Sequence, residues 1–123
     1  MTLSVWFVLT PGVLMLDYAG PAEALRMAAD MGADMLLHHC APVPRLATSL
    51  AVEIGGLRPL PPELPPHSLL IVTGNACEAE DYARPEAHAV IDWLRHAPRA
   101  DTAIASICSG ALLLAAAGLL EHR

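Results

Sequence analysis

A chain of 123 residues, 54% of them hydrophobic, can build one domain with a buried core and is too short for two. Its net charge of −6 argues against direct binding of nucleic acid, which needs a basic face, so any DNA contact is expected from residues outside this chain. The longest apolar run has about half the length that crosses a bilayer, so a membrane-spanning helix is excluded and no membrane partner is expected. Three widely spaced cysteines and no signal peptide predict a cytoplasmic protein.

The first half of the chain predicts a strand, a helix and a second strand. Residues 3–9 are apolar on both faces, which is typical of a central parallel strand. A helix is expected to begin at Pro21, a favoured first helical position, and to end at Gly32. Residues 34–41 predict the next strand, and residues 48–54 a short extended segment before a turn.

The second half begins with five prolines in residues 59–66, which we interpret as a stiff surface loop, with a polyproline ligand as the alternative. Residues 68–73 predict a buried strand. A helix is expected to begin at Pro85 and to end before Pro98, with one apolar face. That face consists of Ala87, Val90, Ile91 and Leu94. The apolar residues 102–107 predict a last strand, buried on both faces, which leads into a buried helix.

This alternation predicts an α/β fold, a flavodoxin-like three-layer sandwich with a parallel sheet and helices on both faces. Ligands and chemistry lie at the carboxyl ends of the strands in such sheets. Asp17 follows the first strand, Gly74 and Asn75 follow the third, and Cys108 follows the last. We therefore expect these three loops to converge on one candidate site.

Cys108 stands where a strand meets a helix, as in a nucleophile elbow with Cys in place of Ser. The positive end of the helix dipole favours the thiolate there. The amides of Ser109 and Gly110 would face a developing oxyanion, and Gly74 and Asn75 would add donors. The alternative is a buried structural thiol.

Asp17 has two interpretations. It is either a helix-capping or solvated loop acid, or a carboxyl group that bonds to the Cys108 sulfur or passes protons to a ligand.

No metal or other cofactor is expected. In the strand that carries His38, His39 and Cys40, only His38 and Cys40 share a face, and no third ligand is near in sequence. His88 and His96 are interpreted as surface residues, and Cys77 as a structural thiol.

Two blocks of sequence resemble the ThiJ/PfpI superfamily, relatives of the class I glutamine amidotransferases. Residues 16–23 (Leu-Asp-Tyr-Ala-Gly-Pro-Ala-Glu) resemble its LD-x-x-GP-x-E block. Residues 107–111, with the Ala/Leu run that follows, resemble its cysteine elbow and helix. The resemblance implies that residues 1–123 are the N-terminal two-thirds of such a domain, which would then be incomplete and lack its C-terminal part.

Two branches of the superfamily carry these blocks. One is the ligand-sensing and dimerisation domain of AraC-type transcriptional regulators, which implies a small-molecule ligand, a homodimer and a DNA-binding helix-turn-helix domain outside this chain. Its ligand pocket would include Asp17 and Cys108, with Gly74, Asn75, Ser109 and Gly110 as ligand-binding residues. The alternative is isonitrile hydratase, which implies Cys108 as the nucleophile and Asp17 as the proton-transfer group. A third hypothesis is a redox-responsive protein oxidised at Cys108.

Overall fold

A computed structural model describes residues 1–75 and 83–121, and the statements below concern these residues. Their strands are β1 (Leu3–Val8), β2 (Met35–Cys40), β3 (Leu46–Ala47), β4 (Glu53–Ile54), β5 (Ser68–Val72) and β6 (Ala103–Ser106). Their helices are α1 (Met15–Asp30), α2 (Pro85–His96) and α3 (Gly110–Ala116). The strands predicted at 3–9, 34–41 and 68–73 and the helix predicted after Pro85 are confirmed.

The main sheet has the order β2-β1-β5-β6, and its neighbouring strands are all parallel. The first strand of the chain is therefore central, as its apolar faces predict. The second sheet is the antiparallel pair β3-β4, which lies outside the main sheet. Parallel neighbours bring the carboxyl ends of β1, β5 and β6 to the same edge, and this edge carries the candidate site.

Successive side chains of a strand point to opposite faces of the sheet. Both faces of the main sheet are apolar, and helices cover both. On one face, Ala22 and Leu25 of α1 pack against Val5, Phe7 and Ile71. The opposite face carries α2 and α3. The residues that pack there include Val8, Leu70, Val72, Val90, Leu94 and Leu113. The four apolar residues predicted for α2 are all buried. The α/β three-layer sandwich is confirmed.

The start of α1 differs from the prediction, because the helix begins at Met15 and contains Pro21 in its interior. The chain just before the helix is held by long-range contacts. Val13 forms isolated bridges with Thr48 and Asn75, and the Leu14 amide donates to the Gly74 carbonyl over 2.9 Å. These contacts reverse the chain directly after β1, so the helix begins before its proline. Asp17 is consequently a helical residue of the first turn.

The segment predicted as extended over residues 48–54 is a small hairpin instead. Its turn is closed by the Thr48 amide, which donates to the Val52 carbonyl over 2.9 Å, and by the Leu50 amide, which donates to the Thr48 hydroxyl over 3.2 Å. Ala51 at the tip has a φ of 63°. A side-chain oxygen that accepts a nearby amide favours a turn over an extended chain.

The last strand is also less buried than predicted. Ala103, Ala105 and Ser106 of β6 are exposed, because β6 is an edge strand of the sheet that the described residues form. The helix that follows buries Gly110, Leu113 and Leu114 and leaves Leu112 exposed. An apolar run alone did not reveal this one-sided burial.

The proline-rich residues 59–66 contain neither helix nor strand, yet they also close the core. Leu64 is buried, and the Trp93 indole donates to the Pro61 carbonyl over 2.6 Å. His88 and His96 are exposed, as predicted. Cys77 lies outside the described residues. Among the helices of residues 1–75 and 83–121, none combines the length and apolar character that a membrane span needs.

Candidate functional site

Cys108 lies at the corner between the end of β6 at Ser106 and the start of α3 at Gly110. Its backbone is left-handed, with a φ of 52°, and the residue is exposed. A left-handed conformation costs a non-glycine residue about 1–2 kcal/mol. The strand-to-helix corner is as predicted, and its thiol is open to solvent, which the interpretation as a buried structural thiol did not expect.

The Gly74–Asn75 loop is bonded directly to this corner. The Asn75 amide donates to the Ser109 hydroxyl over 3.1 Å, and that hydroxyl lies 3.3 Å from the Asn75 carbonyl, to which it donates. The Ile107 amide donates to the Val72 carbonyl over 2.9 Å. The structure therefore brings Asn75 and Ser109 together, beside Cys108.

Two glycines permit the close approach of the corner to the end of β5. A Cβ atom on Gly74 would lie 2.9 Å from the Ser109 amide nitrogen and 3.0 Å from the Ile107 carbonyl oxygen. A Cβ atom on Gly110 would overlap the Val72 carbonyl. Both positions require glycine because the backbone of a neighbouring segment occupies the space that a side chain would fill.

Asn75 is held in place by a residue that the sequence did not single out. The Thr10 hydroxyl donates to Asn75 Oδ1 over 2.9 Å, and both residues are buried. The Thr73 hydroxyl, one residue after β5, donates to the Val8 carbonyl over 3.1 Å. Thr10 and Thr73 each follow an apolar strand. A polar residue at that position was the feature of the sequence that could have identified them.

Asp17 lies in the first turn of α1, which the bond between Leu14 and Gly74 attaches to the same loop. Its Oδ2 is buried and accepts no hydrogen bond from residues 1–75 or 83–121. In this part of the chain no hydrogen bond joins Asp17 to Cys108. Asp17 lines a cavity of about 470 Å³ together with Leu14, Leu16 and Leu50, and Cys108 is not among the lining residues.

A second polar group was not predicted: the Tyr18 hydroxyl lies 2.8 Å from His39 Nδ1. The His39 ring stacks on Phe7 with 5.3 Å between ring centroids. Burial and the neighbouring His38 lower the pKa of His39, and burial raises the pKa of Tyr18. Both side chains are therefore neutral near pH 7. Their pairing depends on α1 packing against β2, so spacing in the sequence does not show it.

His38 and Cys40 are each occupied by other contacts. His38 stacks on Trp6 with 4.0 Å between ring centroids. The Cys40 thiol donates to the Phe7 carbonyl over 3.4 Å, and burial raises its pKa to about 12. Within the described ranges, three or more His, Cys, Asp or Glu side chains are nowhere grouped closely enough to hold a metal ion.

Solved structures match almost the whole chain. An AraC family transcriptional regulator from Pseudomonas putida superposes with a TM-score of 0.76 at 22% identity, over 97% of this chain and 63% of that one. A ThiJ/PfpI family protein from Pseudomonas syringae superposes with a TM-score of 0.67 at 20% identity, over 98% of this chain and 48% of that one. The chain has the ThiJ/PfpI fold.

A curated relative extends this similarity to sequence. The HTH-type transcriptional regulator CdhR of Pseudomonas aeruginosa is 30% identical over 127 aligned positions. The match covers the whole of this chain and 36% of CdhR, so the chain spans about a third of the length of this relative. No protein-family model matches the chain. The proteins similar to this chain therefore include transcriptional regulators.

Proposed function

We propose that this chain is the ligand-sensing and dimerisation part of a cytoplasmic AraC-type transcriptional regulator. The observation that carries the proposal is the 30% identity to the regulator CdhR along the entire chain. The superposition on the AraC family regulator of Pseudomonas putida supports it. In this proposal residues 1–123 are the N-terminal two-thirds of a ThiJ/PfpI-like domain.

Contact with DNA is assigned to a helix-turn-helix domain outside these residues. The chain carries 13 acidic and 7 basic side chains, and a net negative surface repels phosphates. The chain would therefore act on DNA only by changing how that other domain is presented, in a homodimer.

The ligand pocket is proposed at the corner around Cys108. The support is the set of bonds that join Asn75 to Ser109 and Leu14 to Gly74, because they link α1, the loop after β5 and the elbow. Gly110 contributes its close contact with β5. A small molecule bound there would shift the regulator from one arrangement to another. The ratio of its affinities for the two arrangements would set the size of the shift.

The alternative function is that of an isonitrile hydratase, and the exposed left-handed Cys108 favours it. The Cys108 thiolate would add to the terminal carbon of an isocyanide while Asp17 supplies a proton to that carbon, giving a thioimidate. Water would then add to the same carbon, and the thiol would leave as the N-substituted formamide is released. Among the described residues no hydrogen bond joins Asp17 to Cys108, so the role of Asp17 as proton donor stays a prediction.

The test uses the whole regulator and a promoter reporter in cells that receive a panel of amines and other small nitrogen compounds. We expect the double variant Asp17→Ala, Cys108→Ala to lose the response that the wild type shows. The matched control Asp92→Ala, Leu112→Ala changes exposed residues and should keep it. A response that survives the first double variant contradicts the proposed pocket. Rapid formation of a formamide from an isocyanide, lost in Cys108→Ala, would favour the enzyme.

A further inference from the structure

A cavity follows the outer edge of β2. In the sheet that the described residues form, β2 is an edge strand beside β1, and the amide of Arg58 donates to the His39 carbonyl over 3.0 Å at its other side. The cavity between β2 and this segment has a volume of about 310 Å³, near the lower end of the roughly 300–1,000 Å³ that is typical of ligand pockets. Its lining residues are Leu36, Leu37, His38, His39, Gly56 and Arg58.

Arg58 brings to this cavity a positive charge that no described carboxylate neutralises. Four other arginines each form an ion pair, with distances of 2.7–3.5 Å to a carboxylate oxygen: Arg26, Arg45, Arg95 and Arg99. Arg58 is exposed and has no such partner among residues 1–75 and 83–121. The chain has 13 acidic and 7 basic side chains, so an arginine without a carboxylate stands out. Its guanidinium group is available to an anion.

His38 adds a second polar group beside this charge. Its ring face stacks on Trp6 with 4.0 Å between ring centroids, which leaves the two nitrogens at the rim of the ring. Within the described part of the chain neither nitrogen has a hydrogen-bond partner, and neither is buried. Burial and the positive charge of Arg58 lower the pKa of His38, so the two side chains interact. An anion placed between them would bind the charge of Arg58 and accept a hydrogen bond from the imidazole.

Leu36 gives the cavity an apolar surface next to His38, because residues two positions apart in a strand share a face. Its exposed fraction is 57%, and a hydrocarbon group that covers it would remove apolar surface from water. His39 points to the opposite face, where the Tyr18 hydroxyl lies 2.8 Å from its Nδ1. The cavity thus combines a cation, an imidazole and an apolar side chain, and none of its six lining residues is acidic.

We propose that this cavity binds a small organic anion, whose carboxylate accepts hydrogen bonds from the Arg58 guanidinium and from His38, and whose hydrocarbon part lies against Leu36. The planar fork of a guanidinium group matches the two oxygens of a carboxylate. The inference goes beyond the proposed sensor function, since none of these three residues belongs to the pocket proposed at Cys108. An inorganic anion is the main competitor, because it would use Arg58 and His38 but not Leu36.

The experiment is titration of the full chain with benzoate, benzamide and inorganic phosphate, followed by NMR shifts of the backbone amides. Low ionic strength is used, because salt screens exposed charges. We expect benzoate to cause saturable shifts at residues 36–38 and 58, and benzamide and phosphate to bind at least about fivefold more weakly. Benzamide or phosphate binding as tightly as benzoate overturns the proposal. Benzoate shifts confined to other residues also overturn it.

Variants test the two polar groups. Arg58→Gln removes the charge from an exposed side chain and should weaken benzoate binding at least about fivefold. His38→Phe keeps an aromatic ring beside Trp6, removes both nitrogens and should also weaken it. The matched control is Arg99→Gln, which makes the same change of net charge at an arginine paired with Asp101 and should bind benzoate like the wild type.

The outcomes of these variants are distinct. Unchanged binding in Arg58→Gln overturns the proposal. Equal weakening in Arg58→Gln and Arg99→Gln also overturns it, because the net charge of the chain would then explain the effect. If Arg58→Gln does not fold, the comparison of benzoate with benzamide decides. Each result leaves the sensor function untouched, since that function is tested at Asp17 and Cys108.

Discussion

Gly74 and Ser109 are so close that a Cβ atom on residue 74 would lie 2.9 Å from both the amide nitrogen and the hydroxyl oxygen of Ser109. The Gly74→Ala substitution must therefore separate the loop after β5 from the elbow. We expect the free energy of unfolding, measured by urea titration, to fall by about 1–3 kcal/mol. Gly20→Ala is the control: nothing lies within 4 Å of the new methyl group, and the helix should gain roughly 0.5–1 kcal/mol. Equal stability of the Gly74→Ala variant and wild type would contradict this packing.

The Thr10 hydroxyl holds the Asn75 side chain in the core below the site. Thr10→Val removes this buried donor and should lower the free energy of unfolding by about 1–3 kcal/mol. The comparison is Thr2→Val, whose hydroxyl donates to Asp34 over 2.8 Å at an exposed position and should cost less than about 0.5 kcal/mol. Urea titrations of both variants measure the difference, and equal costs would show that the Thr10 bond has no special role.

The two described cysteines should differ in reactivity. Burial raises the pKa of Cys40 to about 12, so about one Cys40 side chain in ten thousand is a thiolate at pH 8. Cys108 is exposed. We expect iodoacetamide to alkylate Cys108 more than about a hundredfold faster than Cys40, as measured by mass spectrometry of the separate peptides. In urea the two rates should converge. Equal rates in the native chain would mean that Cys40 is not buried as described.

Acid should destabilise the chain through His39. Burial and the adjacent His38 lower the pKa of His39 below its usual 6.5, so the unfolded chain takes up a proton at a higher pH than the folded chain. The contribution of His39 to stability is fully present above its pKa in the unfolded chain, and it is lost as the pH falls through its pKa in the folded chain. Urea midpoints at about pH 7.5 and pH 5 should differ less in His39→Phe than in wild type. His88→Phe, at an exposed position, should keep the wild-type difference.

Local patterns in the sequence predicted most of the sheet and α2. The strand at residues 68–73 and the apolar face of α2 are set by which neighbouring residues are buried. The spacing of apolar residues along the chain reveals that. The start of α1 depends instead on contacts of Val13 with Thr48 and Asn75, which lie 35 and 62 positions away by residue number. Such contacts overrode the preference of Pro21 for the first helical position.

The candidate site was predictable where it depended on the ends of strands. Cys108, Gly74 and Asn75 each follow a strand, and parallel strands bring those ends to one edge. Thr10 and the Tyr18–His39 pair depend on how side chains meet across elements, which spacing does not encode. The exposure of β6 depends on which strand lies at the edge, and an apolar run does not show that order.

The central claim is that the chain belongs to a protein that regulates transcription, and in vitro selection from a random DNA pool tests it. The whole protein is immobilised, and bound DNA is recovered and sequenced over successive rounds. The account predicts enrichment of one defined DNA site, while the 123-residue chain with its net charge of −6 enriches none. A whole protein that enriches no DNA sequence would contradict it.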